Sequence, residues 1–460
     1  MDGLSCREIT LKETLDNKDK RIDSQFWTTH ISKNPRYTYT KIGNVVLSSQ
    51  YGMSIDMNTD KKGYPIFRMN ELHNMLNDLE VEKYADISMA EYQDFSLQNK
   101  DVLFNRTNSY EWVGRTGIYY KNDETPFTFA SYLVKFVPDS SVVLPEYLTA
   151  FLNTKMGIKS IKARARQSVN QTNVNPEEVK EIEIPLLPMR LQKCIEELFL
   201  EANQKRVEAR ALYEQAVYQL HEYLDIKIEP CYKPYSEKTF SESFNISGRL
   251  DAEYYDLKYE HIESQIFGSN TVINSCIMHD SNFSPIDNNK YRYIELANVD
   301  TMGGISNVEF TFGCDLPSRA RRLVKSGEVI VSSIEGSLAS CALITPEYDN
   351  AICSTGFYVV SSEKYNPETL LLLFKSESLQ AMLKKRCSGT ILTAISKDEF
   401  EKMPLPEVEN SIQEKIAKAI KDSFELRDKS KRLLDNAIKT VEMAIETDEA
   451  TALDWFKTQM

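Results

Sequence analysis

The residues of this chain best placed to do chemistry are hydrogen-bond donors and acceptors, set for contact rather than for bond-making. From Phe151 to Thr172 the chain carries Lys155, Lys159, Lys162, Arg164 and Arg166 with no acidic residue among them, and the polar residues Gln167, Ser168, Asn170, Gln171, Thr172 and Asn173 extend the run. Lysine and arginine suit phosphate oxygens and guanine edges, while asparagine and glutamine suit adenine edges. A second polar segment, Asn105-Arg106-Thr107-Asn108, leaves the apolar run Val102-Leu103-Phe104 as a loop leaves a strand. The later part of the chain offers Lys384-Lys385-Arg386 ahead of Ser388-Gly389-Thr390, the cluster Arg319, Arg321, Arg322 and Lys325, and the strand-to-loop segment Val331 to Ser337. The candidate nucleic-acid contacts are Asn105, Arg106, Thr107, Asn108, Lys162, Arg164, Arg166, Gln167 and Asn170 in the first half. In the second half they are Arg319, Arg321, Arg322, Ser333, Lys385, Arg386 and Thr390. One such patch alone reads better as a solvated helix end. Recurrence in both halves raises the weight of binding.

Motifs of catalysis are missing. There is no G-x-x-x-x-G-K-[ST] phosphate loop, no G-x-G-x-x-G after a strand, no H-E-x-x-H and no G-x-S-x-G. Asn34-Pro35-Arg36-Tyr37 is similar to the Asn-Pro-Pro-Tyr/Phe sequence of amino-methyltransferases, but it lacks the second proline and no glycine-rich cofactor loop lies nearby. The eight cysteines are scattered without a C-x-x-C pair, against a zinc ribbon or a disulfide framework, and read as reduced, mostly buried residues. The expectation is a non-enzyme with no catalytic residue, no metal site and no cofactor of its own.

The elements that must position these residues are written twice. Arg21-Ile22-Asp23-Ser24-Gln25-Phe26-Trp27 returns as Arg249-Leu250-Asp251-Ala252-Glu253-Tyr254-Tyr255. Tyr64 to Met69 returns as Tyr291 to Leu296, Asp101 to Phe104 as Glu328 to Val331, Pro145 to Leu148 as Pro367 to Leu370, and Ile184 to Pro188 as Met403 to Pro406. The pairs are collinear at an offset of roughly 220–230 residues, too long for a solenoid period and therefore a duplicated domain. Short β-branched and aromatic runs in each copy predict strands, and a helix is expected from Pro145 to about Ala163. After each copy comes an apolar stripe with steps of three and four: Leu191, Ile195, Leu198, Ala202, Ala209, Leu212, Ala216 and Tyr223, then Ile412, Ile416, Ala419, Leu426, Leu433, Ala437 and Ala444. The reading is α+β: two mixed α/β domains in tandem repeat, separated by two long helices that form an antiparallel coiled coil. The expected boundaries are 1–185, 186–230, 231–406 and 407–460.

Composition sets bounds on this reading. A hydrophobic share of 42% and an aromatic share of 10% belong to a folded globular chain of 460 residues. No apolar run approaches a membrane span, and Met1 to Lys20 has no signal-peptide core, so the cytoplasm is the expected compartment and no membrane partner is expected. The net charge of −13 argues against nucleic-acid binding by the whole surface, and leaves it to local patches.

The chain resembles the specificity subunit of a type I restriction–modification enzyme. The resemblance rests on Asp101 to Ser109, on Gln167 to Asn175 leading through Asn175-Pro176-Glu177-Glu178 into Ile184-Pro185-Leu186-Leu187-Pro188, and on Gln192 opening the first long helix. The second copy repeats it as Ser388-Gly389-Thr390 through Met403-Pro404-Leu405-Pro406, with Gln413 in its helix. The resemblance implies two target-recognition domains, each recognising half of a split double-stranded DNA sequence, and helical spacers that fix the distance between the halves. It implies two modification subunits that carry S-adenosylmethionine and two restriction subunits that carry ATP and Mg. The alternatives are a recognition subunit of a related phage-defence methyltransferase complex and a coiled-coil scaffold that binds no DNA.

Overall fold

The apolar runs form sheets in a computed structural model, which describes residues 6–17, 20–73, 75–169, 171–228, 235–266, 268, 270–306, 308–389 and 393–459. The chain divides into two units, Met1–Glu208 with Leu426–Met460, and Ala209–Glu425.

In the first unit β1 (Val46–Tyr51), β2 (Tyr64–Phe67), β3 (Val102–Asn105), β4 (Thr107–Asn108), β5 (Thr116–Ile118), β6 (Thr128–Phe129) and β7 (Leu133–Pro138) precede the helices α1 (Pro145–Leu152) and α2 (Lys155–Arg164). Strands β1, β7, β3 and β5 lie side by side in that order, all antiparallel, while β2 and β6 pair in parallel in a second sheet. Strand β3 is buried on both faces. Val102 and Phe104 enter the core beneath α1, and Leu103 enters the opposite cluster with Phe67, Phe129 and Leu133.

Two helices stand where the sequence predicts one. Thr154 ends α1 and caps α2, its hydroxyl accepting from Gly157 N at 3.1 Å. The turn is so tight that a Cβ on Gly157 would lie 2.1 Å from Phe151 O.

The second unit repeats the plan. Helix α3 (Leu257–Gln265) and strands β8 (Ile277–Met278), β9 (Lys290–Ile294), β10 (Ala320–Leu323), β11 (Val329–Ser332), β12 (Cys341–Leu343), β13 (Ile352–Ser354) and β14 (Phe357–Ser361) precede α4 (Pro367–Lys375) and α5 (Glu377–Lys385). Strands β8, β14, β11 and β12 take the order of β1, β7, β3 and β5, and β9 pairs in parallel with β13 as β2 does with β6. Val329 and Val331 enter one cluster and Ile330 the other. The duplication in the sequence is thus a duplication of strand order and of which residue faces which core.

The two striped segments are single helices, Met189–Leu224 and Asn410–Glu446. In the first unit Leu191, Ile195, Leu198 and Ala202 pack with Leu433, Ala437, Val441 and Ala444. Ser430 Oγ there donates to Ala202 O at 2.8 Å. In the second unit Ala216 and Leu220 pack with Ile416, Ala419 and Ile420. Ser423 Oγ donates to Ala209 O at 2.6 Å and Glu409 N to Tyr223 Oη at 3.3 Å, so the pairing is antiparallel. Small residues at these crossings bring the backbones close, and each buried serine spends its proton on the facing carbonyl.

A glutamine locks each helix start to its own domain. Gln192 accepts from Leu144 N at 2.8 Å and donates to Leu187 O at 2.9 Å and Val142 O at 3.1 Å. Gln413 accepts from Asn366 N at 2.8 Å and donates to Val408 O at 2.9 Å and Lys364 O at 3.0 Å. Asn34 of the methyltransferase-like segment is also structural. Its Nδ2 donates to Ile445 O and Thr447 O, both at 3.0 Å, and Arg36 bonds Thr447 O and Asp448, which caps the end of the C-terminal helix. Among the described cysteines none forms a disulfide. Burial pushes the thiols of Cys276 and Cys387 up to about 12. No described helix is long and apolar enough to cross a membrane.

Candidate nucleic-acid interface

The polar run after α2 folds back on itself. Arg166–Gln167 and Thr172–Asn173 form an antiparallel hairpin, and Thr172–Asn173 also pairs with β4. Gln167, Thr172 and Asn108 lie across one row of this small sheet, and Arg166, Asn173 and Thr107 across the next. The sheet therefore joins the two candidate segments of the first half, although they are separated by almost sixty residues. Its tip is tightened by Ser168 N donating to Gln171 O at 2.7 Å, and Val169 there is 96% exposed. Nearby Val174 N donates to Arg106 O and Arg106 N to Tyr132 O, each at 2.9 Å, which ties the hairpin to the strand-end loop.

The candidates differ in what they present. Arg166 and Gln167 are exposed, with the Arg166 guanidinium 3.5 Å from Glu178 Oε1. Asn108 is half-buried and its Oδ1 accepts from Ser109 N at 2.8 Å. Thr107 is buried and donates to Asn173 Oδ1 at 2.6 Å. Asn105 is fully buried. Its Oδ1 accepts from Thr107 N at 3.2 Å, while its Nδ2 and the Nε of Arg106 make no hydrogen bond among the described residues. The Arg106 guanidinium sits 5.2 Å from the ring centre of Tyr51.

Lys162 and Arg164 turn towards the fold. The Lys162 ammonium bonds the carbonyls of Tyr110, Glu111 and Val113, and burial holds its pKa below the ordinary value. Arg164 donates to Ser160 O at 2.9 Å and lies 5.5 Å from the Phe26 ring. Asn170 lies outside the described residues.

The second unit holds the counterpart. Cys387–Ser388 pairs antiparallel with Ala394–Ile395, and this hairpin joins the end of β11 through the Ile334–Ala394 bridge, with Ile395 N donating to Ser333 O at 2.8 Å and Glu335 N to Thr393 O at 3.0 Å. Ser333 donates its hydroxyl to Gly356 O at 2.9 Å. Lys385 and Arg386 are buried, not solvated. Lys385 Nζ is 2.5 Å and Arg386 Nη2 3.3 Å from the carboxylate of Glu263 on α3. Burial pushes the Glu263 pKa up, but the hydrogen bond from Lys385 and the two charges outweigh it, leaving the carboxyl below its usual range. Arg319 bonds Glu295 at 2.8 Å and Tyr293 Oη at 3.2 Å, Arg321 bonds Ser318 O at 2.9 Å, and Arg322 keeps a buried Nη1 without a partner among the described residues. Thr390 lies outside the described residues.

Residue type alone did not single out Asn173, Tyr132 or Glu178, which hold the hairpin and the strand-end loop together. Asn173 takes the Thr107 proton, Gln171 reaches the Tyr132 hydroxyl at 3.4 Å, and Glu178, in the short helix Pro176–Lys180, lies 3.5 Å from Arg166. The polar run held Asn173, but nothing in its spacing showed a strand.

Parts of the chain are similar to known proteins. A family model described as Type I restriction modification DNA specificity domain matches residues 36–201. The chain is 27% identical over 175 residues to the putative type I restriction enzyme MjaX specificity subunit of Methanocaldococcus jannaschii, covering 38% of this chain and 41% of that protein. It is 21% identical over 168 residues to the StySPI specificity subunit of Salmonella potsdam, covering 36% of each chain. It is 23% identical over 165 residues to the EcoKI specificity subunit of Escherichia coli K12, covering 35% of each chain. The matched segment thus spans 41% or less of the length of these curated relatives. The solved type-I restriction-modification S subunit from M. genitalium aligns at 14% identity and a TM-score of 0.38, covering 94% of this chain and 98% of that one. Residues 36–201 of the chain thus match the family model of the type I restriction modification DNA specificity domain.

Proposed function

We propose that this chain is the DNA sequence-specificity subunit of a type I restriction–modification complex. Each unit contacts one half of a bipartite double-stranded target, and the chain positions modification and restriction subunits on it without catalysing a step itself. The observation that carries this reading is the repeated hairpin. Both units end the same strand order in a polar loop and dock on it a short hairpin that follows a basic helix end. A two-stranded ribbon of this kind fits the major groove of B-DNA, about 12 Å wide. S-adenosylmethionine, ATP and Mg are assigned to two modification and two restriction subunits, and none to this chain.

With a net charge of −13, the partners supply much of the phosphate-binding surface. The test is methylation-sensitive sequencing of the host genome with and without the gene. A single two-part methylated motif that vanishes on deletion is expected. Unchanged methylation, together with no salt-resistant co-purification of a methyltransferase, would remove the proposal.

A further inference from the structure

The repeated segment at Arg21 and Arg249 has no part in the reading above, yet its geometry is the same in both units. In the first, Arg21 Nε donates to Asp23 Oδ2 at 2.6 Å, and Nη1 donates to Arg164 O at 2.8 Å, the last carbonyl of α2 before the hairpin. The same Nη1 is 3.4 Å from Glu178 Oε1, the carboxylate that also faces Arg166 of the hairpin at 3.5 Å. Phe26 lies 5.0 Å from the Arg21 guanidinium and 5.5 Å from that of Arg164, and Trp27 Nε1 donates to Arg21 O at 2.8 Å.

In the second, Arg249 Nε donates to Asp251 Oδ1 at 2.8 Å. Its Nη2 donates to Cys387 O at 2.9 Å, on the first residue of the hairpin, and its Nη1 to Lys385 O at 3.5 Å. Tyr254 lies 4.4 Å from the guanidinium and 5.2 Å from Lys385 Nζ, and Tyr255 Oη donates to Arg249 O at 3.2 Å. The arginine, the aspartate and the two aromatic residues of the repeat make corresponding contacts in both units.

Arg21 is 6% exposed and its donors point at carboxylates and carbonyls of its own unit, so neither it nor Arg249 is set to meet DNA directly. The planar fork of arginine can hold an aspartate and a carbonyl at once, which a lysine ammonium on a flexible stem holds less rigidly. The basic residues Arg164 and Lys385 also lie near these rings, 5.5 Å from Phe26 and 5.2 Å from Tyr254.

We infer that Arg21 and Arg249 are positioning residues for specificity, each clamping the base of its own unit's hairpin so that the hairpin holds one orientation against DNA. This rests on the proposed reading of the hairpins as DNA contacts, and the test separates the two. Arg21→Gln and Arg249→Gln are made in the full chain, with Arg21→Lys and Arg249→Lys as conservative controls, and hydrogen exchange is followed by fragment. In Arg21→Gln, exchange at residues 165–174 is expected to quicken about tenfold or more, the worth of a hydrogen bond to a charged group, while β3 and β7 stay protected. The lysine variant is expected to fall between. Arg249→Gln is expected to act on residues 386–389 and 393–395 alone. In the assembled complex each variant is expected to lose about tenfold discrimination at its own half-site and none at the other.

Unchanged exchange in the hairpin overturns the clamp. Loss of protection across β3 and β7 together with the hairpin also overturns it, because the arginine would then support the whole unit. A hairpin that loosens with discrimination intact upholds the clamp and removes the DNA role of the hairpin.

Discussion

Gln192 shows how much one side chain fixes. It fills three backbone groups between the loop before α1 and the start of the central helix, and two of these bonds are buried. Gln192→Ala leaves them unmatched and is expected to cost about 2–3 kcal/mol, measured by urea unfolding, with Gln413→Ala costing a similar amount. Glu263 gives a pH test. Its folded pKa is depressed, so its contribution is present above the unfolded value, about 4.3, and is lost as pH falls through the folded value. Glu263→Gln is expected to lower stability at pH 7 by about 1–2 kcal/mol, discounted because the carboxylate is partly exposed, and to flatten the acid limb of the stability curve. An acid limb as steep as that of the parent chain would assign it to other carboxylates. Arg166 is the exposed cation at the hairpin base. Arg166→Ala is expected to weaken one half-site by about 1–3 kcal/mol where it meets a base, and a loss equal at all sequences would assign it to phosphate. Residue type showed where cations recur but not why. Lys385 and Arg386 look like a surface patch in sequence, and only the fold supplies Glu263, more than a hundred residues away, to bury them.

At the scale of elements, legibility followed periodicity. The stripes from Leu191 and Ile412 predict helices that are found at Met189–Leu224 and Asn410–Glu446, because a three-and-four spacing over ten turns has no competing reading. The runs at Val102 and Val329 are strands that are apolar at their first three positions and short. The hairpins were hidden. Two-residue strands such as Arg166–Gln167 and Thr172–Asn173 carry no period, and their partner β4 lies far away in the chain. The break between α1 and α2 rests on Thr154, whose hydroxyl accepts from Gly157 N. That glycine is testable. Gly157→Ala places a Cβ against Phe151 O and must open the turn, with an expected cost of about 2–3 kcal/mol in urea unfolding. A cost within about 0.5 kcal/mol would show that the turn relaxes freely.

At the scale of the whole molecule the duplicated text becomes two copies of one strand order, each followed in the chain by a helix of nearly equal length, 36 and 37 residues. On the proposed reading, two hairpins that contact DNA call for two half-sites, and the loops beside them differ in sequence, Asn105 to Asn108 against Ser332 to Glu335. The helices are then the candidates for setting the spacing between half-sites. Removing two heptads from each shortens a helix by about 21 Å, the rise of roughly six base pairs. The deletions must be matched, since Ala209 faces Ser423 and Tyr223 faces Glu409 within the second unit, and an unmatched cut would set apolar positions against charged ones. The expected outcome, followed by methylation-sensitive sequencing of cells carrying the doubly shortened chain, is the same two half-sites with a shorter non-specific spacer. Both half-sites retained at the original spacing would show that the helices hold each unit together but do not measure the DNA.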